Sequence, residues 1–469
     1  MKQGLGIFAL AAVLLLTRSA AGATVSQKVS EAMSALEVGD YDTFVRHATG
    51  LLAIYPTFER RGEIGLQIVK AMMFLKRFEE ARRYARRLLE SDPYNPMSGE
   101  IQRELRLLAE VEKLPEDLVA GYLAADKMTV QHRLQAAIEQ YQAVADDERS
   151  EGTELGRRAR YEATRMDYVL LDREYPKDET IQPDDLVDLW RVYLADARDD
   201  EEEYLGLIAL LHAYSRYAEG RRRGEDVIAR PVFIAKAIDL AEENQERFQD
   251  PDKRLSLRYQ LALLYKKRGF YFILHDVNLT IASYLKALGI IDDLVAQNPR
   301  WHLLTQALRH TVEMEVAMGR FEKLYEELPK WIEKYPKDIE IGKAVEYFAR
   351  FCDSQKQYEY AFCANQLIWK DYPYTELADN ALQRYLPLLA AHNRGELEIK
   401  LCPILYNAEE LVPDEAAPPT PQGASAQAEV EPLKEMAREA HAKLVKRIGI
   451  LVVLSAVAVV VFLITKRKG

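Results

Sequence analysis

The sequence is poor in cysteine, glycine and proline: 469 residues include only 3, 22 and 19 of them, respectively. So few cysteines exclude a fold held together mainly by disulfides, and their spacing is not that of a zinc site. Alternating runs of valine, isoleucine and threonine are nearly absent outside the termini, so few or no β-strands are expected. Alanine, leucine, glutamate and arginine dominate most of the chain, and this composition predicts an all-α protein.

The three cysteines are Cys352, Cys363 and Cys402. A bridge between Cys352 and Cys363, which belong to neighbouring predicted helices, is one possibility. Buried free thiols are the favoured interpretation, because an exported protein that depends on disulfides usually carries more cysteines.

The sequence also lacks the short motifs of common enzymes. It has no G-x-S-x-G, no H-E-x-x-H, no P-loop and no glycine-rich dinucleotide turn. Its eight histidines are scattered, and its carboxylate pairs are those of any acidic helical chain. The chain is therefore predicted not to be an enzyme, with no catalytic, cofactor-binding or metal-binding residue. The net charge of −11 argues against non-specific nucleic-acid binding.

Both ends of the chain carry signals of export and membrane insertion. Lys2, the apolar stretch 7–16 and the small residues at 21–23 have the pattern of a cleaved signal peptide. An uncleaved N-terminal anchor is the alternative. The uncharged run 448–465 contains 18 residues. As a helix that rises ~1.5 Å per residue it covers about 27 Å, which is close to the thickness of a bilayer's hydrocarbon core. A functional signal peptide places the body outside the cytoplasm and the tail 466–469 inside.

Two markers recur at a fixed spacing in the body of the chain. Pro56 and Pro93, Pro299 and Pro336, and Pro336 and Pro373 are each 37 residues apart. Most of these prolines have an aromatic residue 15 positions before them. The aromatic residues are Tyr41, Phe78, Phe321 and Tyr358. A fixed period of this length predicts stacked units, and the apolar spacing within each unit predicts two antiparallel helices.

This pattern resembles the tetratricopeptide repeat (TPR) family. In the family, a small residue near the start of the second helix precedes a closing proline by 12 residues, as Ala81 precedes Pro93 and Ala361 precedes Pro373. The segment 372–382, with the steps Tyr-Pro-Tyr-Thr and Leu-Ala, is similar to the envelope-assembly branch of the family. The resemblance implies an α-solenoid that binds proteins or peptides.

The predicted organisation changes along the chain. It consists of a signal peptide at 1–23, a TPR-like solenoid at 24–410 with degenerate units at 100–280, a Pro/Ala-rich flexible linker at 411–432, a juxtamembrane helix at 433–447, a transmembrane helix at 448–465 and a basic tail at 466–469. A separate helical domain in the middle region is the alternative.

The first helix of each unit is expected to line a concave face. Alignment from the closing prolines places seven polar residues there: Gln306, Arg309, Glu313, Lys343, Glu346, Arg350 and Asp353. These residues are candidates for contacts with a protein or peptide. A solvated helix face with ordinary charge pairs is the alternative interpretation.

Three hypotheses for the function follow. The first is a membrane-anchored scaffold that mediates protein–protein interactions on the periplasmic side of a bacterial envelope, held by a single C-terminal span. The second is an envelope enzyme, such as a cell-wall hydrolase, with a helical superstructure. The third is a tail-anchored cytosolic adaptor whose N-terminus only mimics a signal peptide.

Overall fold

The computed structural model describes residues 27–403, except for 56–57, 59, 176, 179, 219–220, 224–225, 229–230, 274 and 373–374. The predicted signal peptide, the linker at 411–432, the juxtamembrane helix, the span at 448–465 and the basic tail all lie outside the described residues. Across the part that is described, no helix combines the length and apolarity that a bilayer crossing requires.

The described chain is almost entirely helical. Its helices are α1 (27–38), α2 (Tyr41–Ile54), α3 (Arg61–Phe74), α4 (Phe78–Ser91), α5 (Ser98–Glu110), α6 (Glu116–Val130), α7 (Leu134–Ala145), α8 (Glu154–Glu174), α9 (Pro183–Ala195), α10 (Asp200–Ala218), α11 (Pro231–Asn244), α12 (Pro251–Phe272), α13 (Val277–Gln297), α14 (Leu304–Ala317), α15 (Phe321–Lys334), α16 (Ile339–Ser354), α17 (Tyr358–Asp371) and α18 (Glu376–Asn393). Two short strands, β1 (Arg221–Arg223) and β2 (Asp226–Ile228), pair antiparallel between α10 and α11.

Successive helices pack as antiparallel hairpins that stack side by side. The first helices of neighbouring hairpins contact each other, as α14 contacts α16 and α16 contacts α18. The middle of the chain follows the same rule, since α8 contacts α10 and α10 contacts α12. Helix α5 is outside this pairing and packs on α3, α4 and α8. The described residues therefore form an all-α, TPR-like stack of helical hairpins.

Five hairpin turns end their first helix in the same way. In each turn, one residue adopts positive φ two positions before the second helix begins: Gly39, Lys76, His132, Gly319 and Lys356. The N–H groups at this residue and the next donate to carbonyls of the preceding turn, as Lys356 N does to Asp353 O at 3.0 Å and Gln357 N to Cys352 O at 2.7 Å. This is a Schellman C-cap, in which glycine is the residue with the least strain.

Replacing Lys356 by glycine is expected to stabilise the α16–α17 hairpin by about 0.5–1 kcal/mol. Lys356 holds φ at 60°, where a side chain strains the backbone, and it is exposed, so that its loss removes little packing. Slower hydrogen exchange in α16 and α17 would show the gain. The equivalent turn between α14 and α15 has Gly319, with φ at 76°. Gly319→Ala should destabilise that hairpin. An unchanged exchange rate for both variants would contradict this interpretation.

The buried apolar side chains form two clusters that meet within α8. The first cluster runs from Ala32 to Met166, and the second from Tyr175 to Ala381. The loop after α4 nevertheless joins the two parts, because the Tyr94 ring lies 5.3 Å from the Tyr335 ring and its hydroxyl lies 3.4 Å from the carbonyl of Pro299. The N-terminal hairpins thus contact loops that follow α13 and α15.

The cysteines pair differently from the expectation. Cys363 in α17 is bonded to Cys402, with 5.8 Å between their Cα atoms, while Cys352 is buried and unpaired. A Cys352–Cys363 bridge is therefore wrong, and the favoured free thiol is found only at Cys352. The physical reason is that the segment after α18 folds back on α17, where Glu359 accepts the backbone N–H of Leu401 at 2.6 Å.

Candidate functional site

The seven residues predicted for the concave face lie on two adjacent first helices. Gln306, Arg309 and Glu313 follow a helical spacing along α14, and Lys343, Glu346, Arg350 and Asp353 do so along α16. Helices α14 and α16 pack directly against each other. Arg350 is exposed, and the other six side chains are partly exposed. We call the surface formed by these seven side chains the first-helix face.

Lateral ion pairs fix several of these charges. The Arg309 guanidinium on α14 contacts the buried Glu340 carboxylate on α16, and Lys343 Nζ lies 2.9 Å from the same carboxylate. Arg309 also lies 3.7 Å from Glu313. Arg309 and Lys343 therefore share the Glu340 carboxylate. This contact fixes the position of each cation while leaving it partly exposed to solvent.

Glu313 links the face to α12. Its carboxylate contacts the Lys266 ammonium of α12 and lies 3.2 Å from His310 Nδ1. Burial by itself would raise the pKa of Glu313, but its contacts with His310 and Lys266 lower that pKa to about 2. Burial lowers the pKa of His310, so the ring is neutral near neutral pH. Glu313 thus remains an anion across the physiological range.

The row of charges continues to α18. Glu346 on α16 pairs with Arg384 of α18 at 3.2 Å, and Arg384 also donates to the side chain of Asn365 at 3.1 Å. Charges from α12, α14, α16 and α18 therefore alternate in sign across the same side of the stack. Such a surface can recognise a partner through charge complementarity and hydrogen bonds, and its role remains a prediction.

A second polar network, in the N-terminal half, was not predicted. Glu104 of α5 accepts two hydrogen bonds from the Arg158 guanidinium of α8, at 2.7 and 2.9 Å. Lys70 of α3 lies 3.7 Å from both Glu104 and Asp126 of α6. The available signal was the position of Glu104 between Ile101 and Leu108, within the apolar stripe of α5. Its partners come from separate helices, which sequence spacing does not reveal.

Metal binding finds no support in the described ranges, where no three His, Cys, Asp or Glu side chains are grouped to hold an ion.

Comparisons with known proteins found similarity only to solved structures. No family model matches the chain, and no curated protein matches it. A structure of Naa15/Naa10 bound to HypK is 14% identical, with a TM-score of 0.24, over 76% of this chain and 66% of that one, slightly under two thirds of its length. Yeast Tom70 is 12% identical, with a TM-score of 0.21, over 79% of this chain and 89% of that one. These values assign no family, and the TPR-like fold rests on the hairpins of this chain.

Proposed function

We propose that this protein is a membrane-anchored scaffold that binds a protein or peptide partner on the first-helix face, on the extracytoplasmic side of a bacterial membrane. The observation that carries the proposal is the row of partly exposed, alternating charges that lateral ion pairs hold across α12, α14, α16 and α18. A rigid, solvated row of this kind lowers the entropy lost on binding, because its side chains are already ordered.

The disulfide supports the export part of the proposal. Disulfides persist in oxidising compartments and are rare in the cytosol, so the Cys363–Cys402 bond favours an exported body over a cytosolic adaptor. The predicted span at 448–465 would confine this body near a membrane and raise its effective concentration for membrane-associated partners. A C-terminal phosphatase fusion should be inactive, and the body should be open to protease in spheroplasts. The opposite pattern would contradict this topology.

Site-specific photo-crosslinking in intact membranes tests the binding face. A photoreactive residue at Gln306 or Arg350 is expected to capture a partner protein, because both positions lie on the first-helix face. The matched control is Glu326, an exposed residue on the second helix α15. Equal capture from Glu326 would place the partner elsewhere.

Charge reversal on the same face should weaken the captured complex. The double variant Arg350→Glu/Asp353→Lys keeps the net charge and leaves the ion pairs of Arg309, Glu340 and Lys343 intact. We expect a loss of affinity of about tenfold, measured with the partner identified by crosslinking. The exchange Glu326→Lys/Lys330→Glu on α15 is the control and should leave the affinity within about twofold. Equal losses for both double variants would contradict a specific role for the first-helix face.

A further inference from the structure

A groove of 420 Å³ lies between the second helices α7 and α9. Its floor is one face of α8, at 160, 163, 164 and 167, and its longer wall is one face of α9, at 185, 188, 189, 192, 193 and 196. The end of α7 forms the other wall. At 1.5 Å per residue, the α9 wall is about 16 Å long, which matches about three turns of a bound helix.

The lining of the groove is strongly acidic. Its lining contains six carboxylates and one guanidinium: Asp146, Asp167, Asp185, Asp188, Asp196, Glu202 and, as the cation, Arg160. Arg191, beside the groove, pairs with Asp188 at 2.6 Å, so the carboxylates still outnumber the nearby cations. Arg160 already contacts the buried Glu202 carboxylate. Burial raises the pKa of Asp167. A ligand with several positive charges is therefore attracted, whereas nucleic acid and anionic lipid are repelled.

The groove also has apolar lining residues, and one of the residues that line it is a tyrosine with an unpaired hydroxyl. Ala145, Ala163 and Leu189 line it, and Val192 leaves 61% of its surface exposed. Tyr193 also lines it and is only 9% exposed, yet its hydroxyl has no hydrogen-bond partner. A buried hydroxyl of this kind costs free energy unless a ligand or water pairs with it.

We propose that this groove binds a positively charged amphipathic helix of a partner protein. The carboxylates match lysine and arginine on the sides of such a helix, and the apolar lining of Ala163, Leu189 and Val192 matches its apolar face. A polyamine would pair only with the carboxylates, and an apolar helix would contact only the apolar lining. Different residues form this site and the first-helix face. A failure to detect partner binding at the first-helix face would therefore not contradict the proposal for the groove.

The probe is a fluorescein-labelled, 18-residue amphipathic helix with leucine on one face and lysine or arginine on the other. Its fluorescence anisotropy is measured with the full-length protein in detergent. The double variant Asp146→Asn/Asp196→Asn should bind about tenfold more weakly and with less salt dependence. Both residues cap helix C-termini, where a negative charge is unfavourable, so their neutralisation should not unfold the protein.

The matched control is Glu243→Gln/Glu246→Gln, which removes the same charge from exposed positions on and just after α11. It should bind the probe within about twofold of the unmodified protein. Tyr193→Phe should bind about threefold more weakly and unfold no more easily, because the lost hydroxyl has no partner in the free protein.

Three results would overturn the proposal. The first is equal affinity of the unmodified protein and Asp146→Asn/Asp196→Asn. The second is equal binding of a scrambled peptide with the same composition but no apolar face. The third is complete displacement of the probe by spermidine at matched charge concentration, because the groove would then recognise charge alone.

Discussion

Glu104→Gln is expected to lower the free energy of local unfolding in the N-terminal half by about 3–5 kcal/mol. Glu104 is 1% exposed; it accepts hydrogen bonds from Arg158 and forms an ion pair with Lys70. Glutamine keeps the shape of the side chain but leaves the buried Arg158 guanidinium without its carboxylate and leaves Lys70 with Asp126 alone. Hydrogen exchange in α3, α5 and α8 reports the loss directly, because a repeat protein need not unfold as a single unit.

The same pair predicts a loss of stability in acid. Burial would raise the pKa of Glu104, but Arg158 and Lys70 outweigh it and lower this pKa to about 2, from 4.5. A carboxyl whose pKa is depressed by folding stabilises the fold fully above pH ~4.5 and loses that contribution as the pH falls toward 2. The loss is roughly 3 kcal/mol at that limit. Burial raises the pKa of Asp126, whose protonation opposes part of this loss.

Two controls separate a buried network from ordinary surface charge. Glu100→Gln removes the exposed partner of Arg103 on the same helix, and it should cost less than about 1 kcal/mol. Glu104→Met/Arg158→Met removes both charges of the pair. It should lower the free energy of unfolding less than Glu104→Gln alone does, because no unpaired charge remains at either position. Equal costs for Glu104→Gln and Glu100→Gln would show that the network contributes little.

The hairpins were predictable because their signals are local in sequence. The aromatic residues Tyr41, Phe78, Phe321 and Tyr358 each begin a second helix in the structure. They follow turns whose backbone requires one residue with positive φ, and glycine at 39 and 319 made two of these turns visible. Periodic apolar residues then set the buried side of each helix, as Ile341, Ala344 and Phe348 do in α16.

The missed features depend on contacts between distant helices. Nothing near Glu104 in sequence identifies Arg158 as its partner, and nothing near Cys363 identifies Cys402. The acidic groove appears only when α7 and α9 leave the face of α8 uncovered. Helix α5 was placed in the irregular middle region because it follows no period, and its packing against α3 and α8 is a tertiary property.

Removing the disulfide with Cys363→Ser/Cys402→Ser is expected to release the segment after α18 and to cost about 3–4 kcal/mol in local unfolding. The bond closes a loop with a sequence separation of 39, so it restricts the unfolded chain considerably. Without it, weaker contacts hold the segment: Tyr325 of α15 donates to the Leu401 carbonyl, and Gln366 of α17 donates to the Pro403 carbonyl at 2.7 Å. Faster hydrogen exchange in α17 and the segment 394–403 would show the release.

Thiol counting provides the control and the decisive contrary result. The native protein should show no reactive thiol, because Cys352 is buried and its burial raises its pKa to about 12. Denaturation without reductant should expose Cys352 alone, and reductant should then expose all three cysteines. Cys352→Ala keeps the bond and should leave the segment 394–403 protected from exchange. If denaturation of the untreated protein already exposes three thiols, the bond is absent and the argument for an oxidising compartment loses its support.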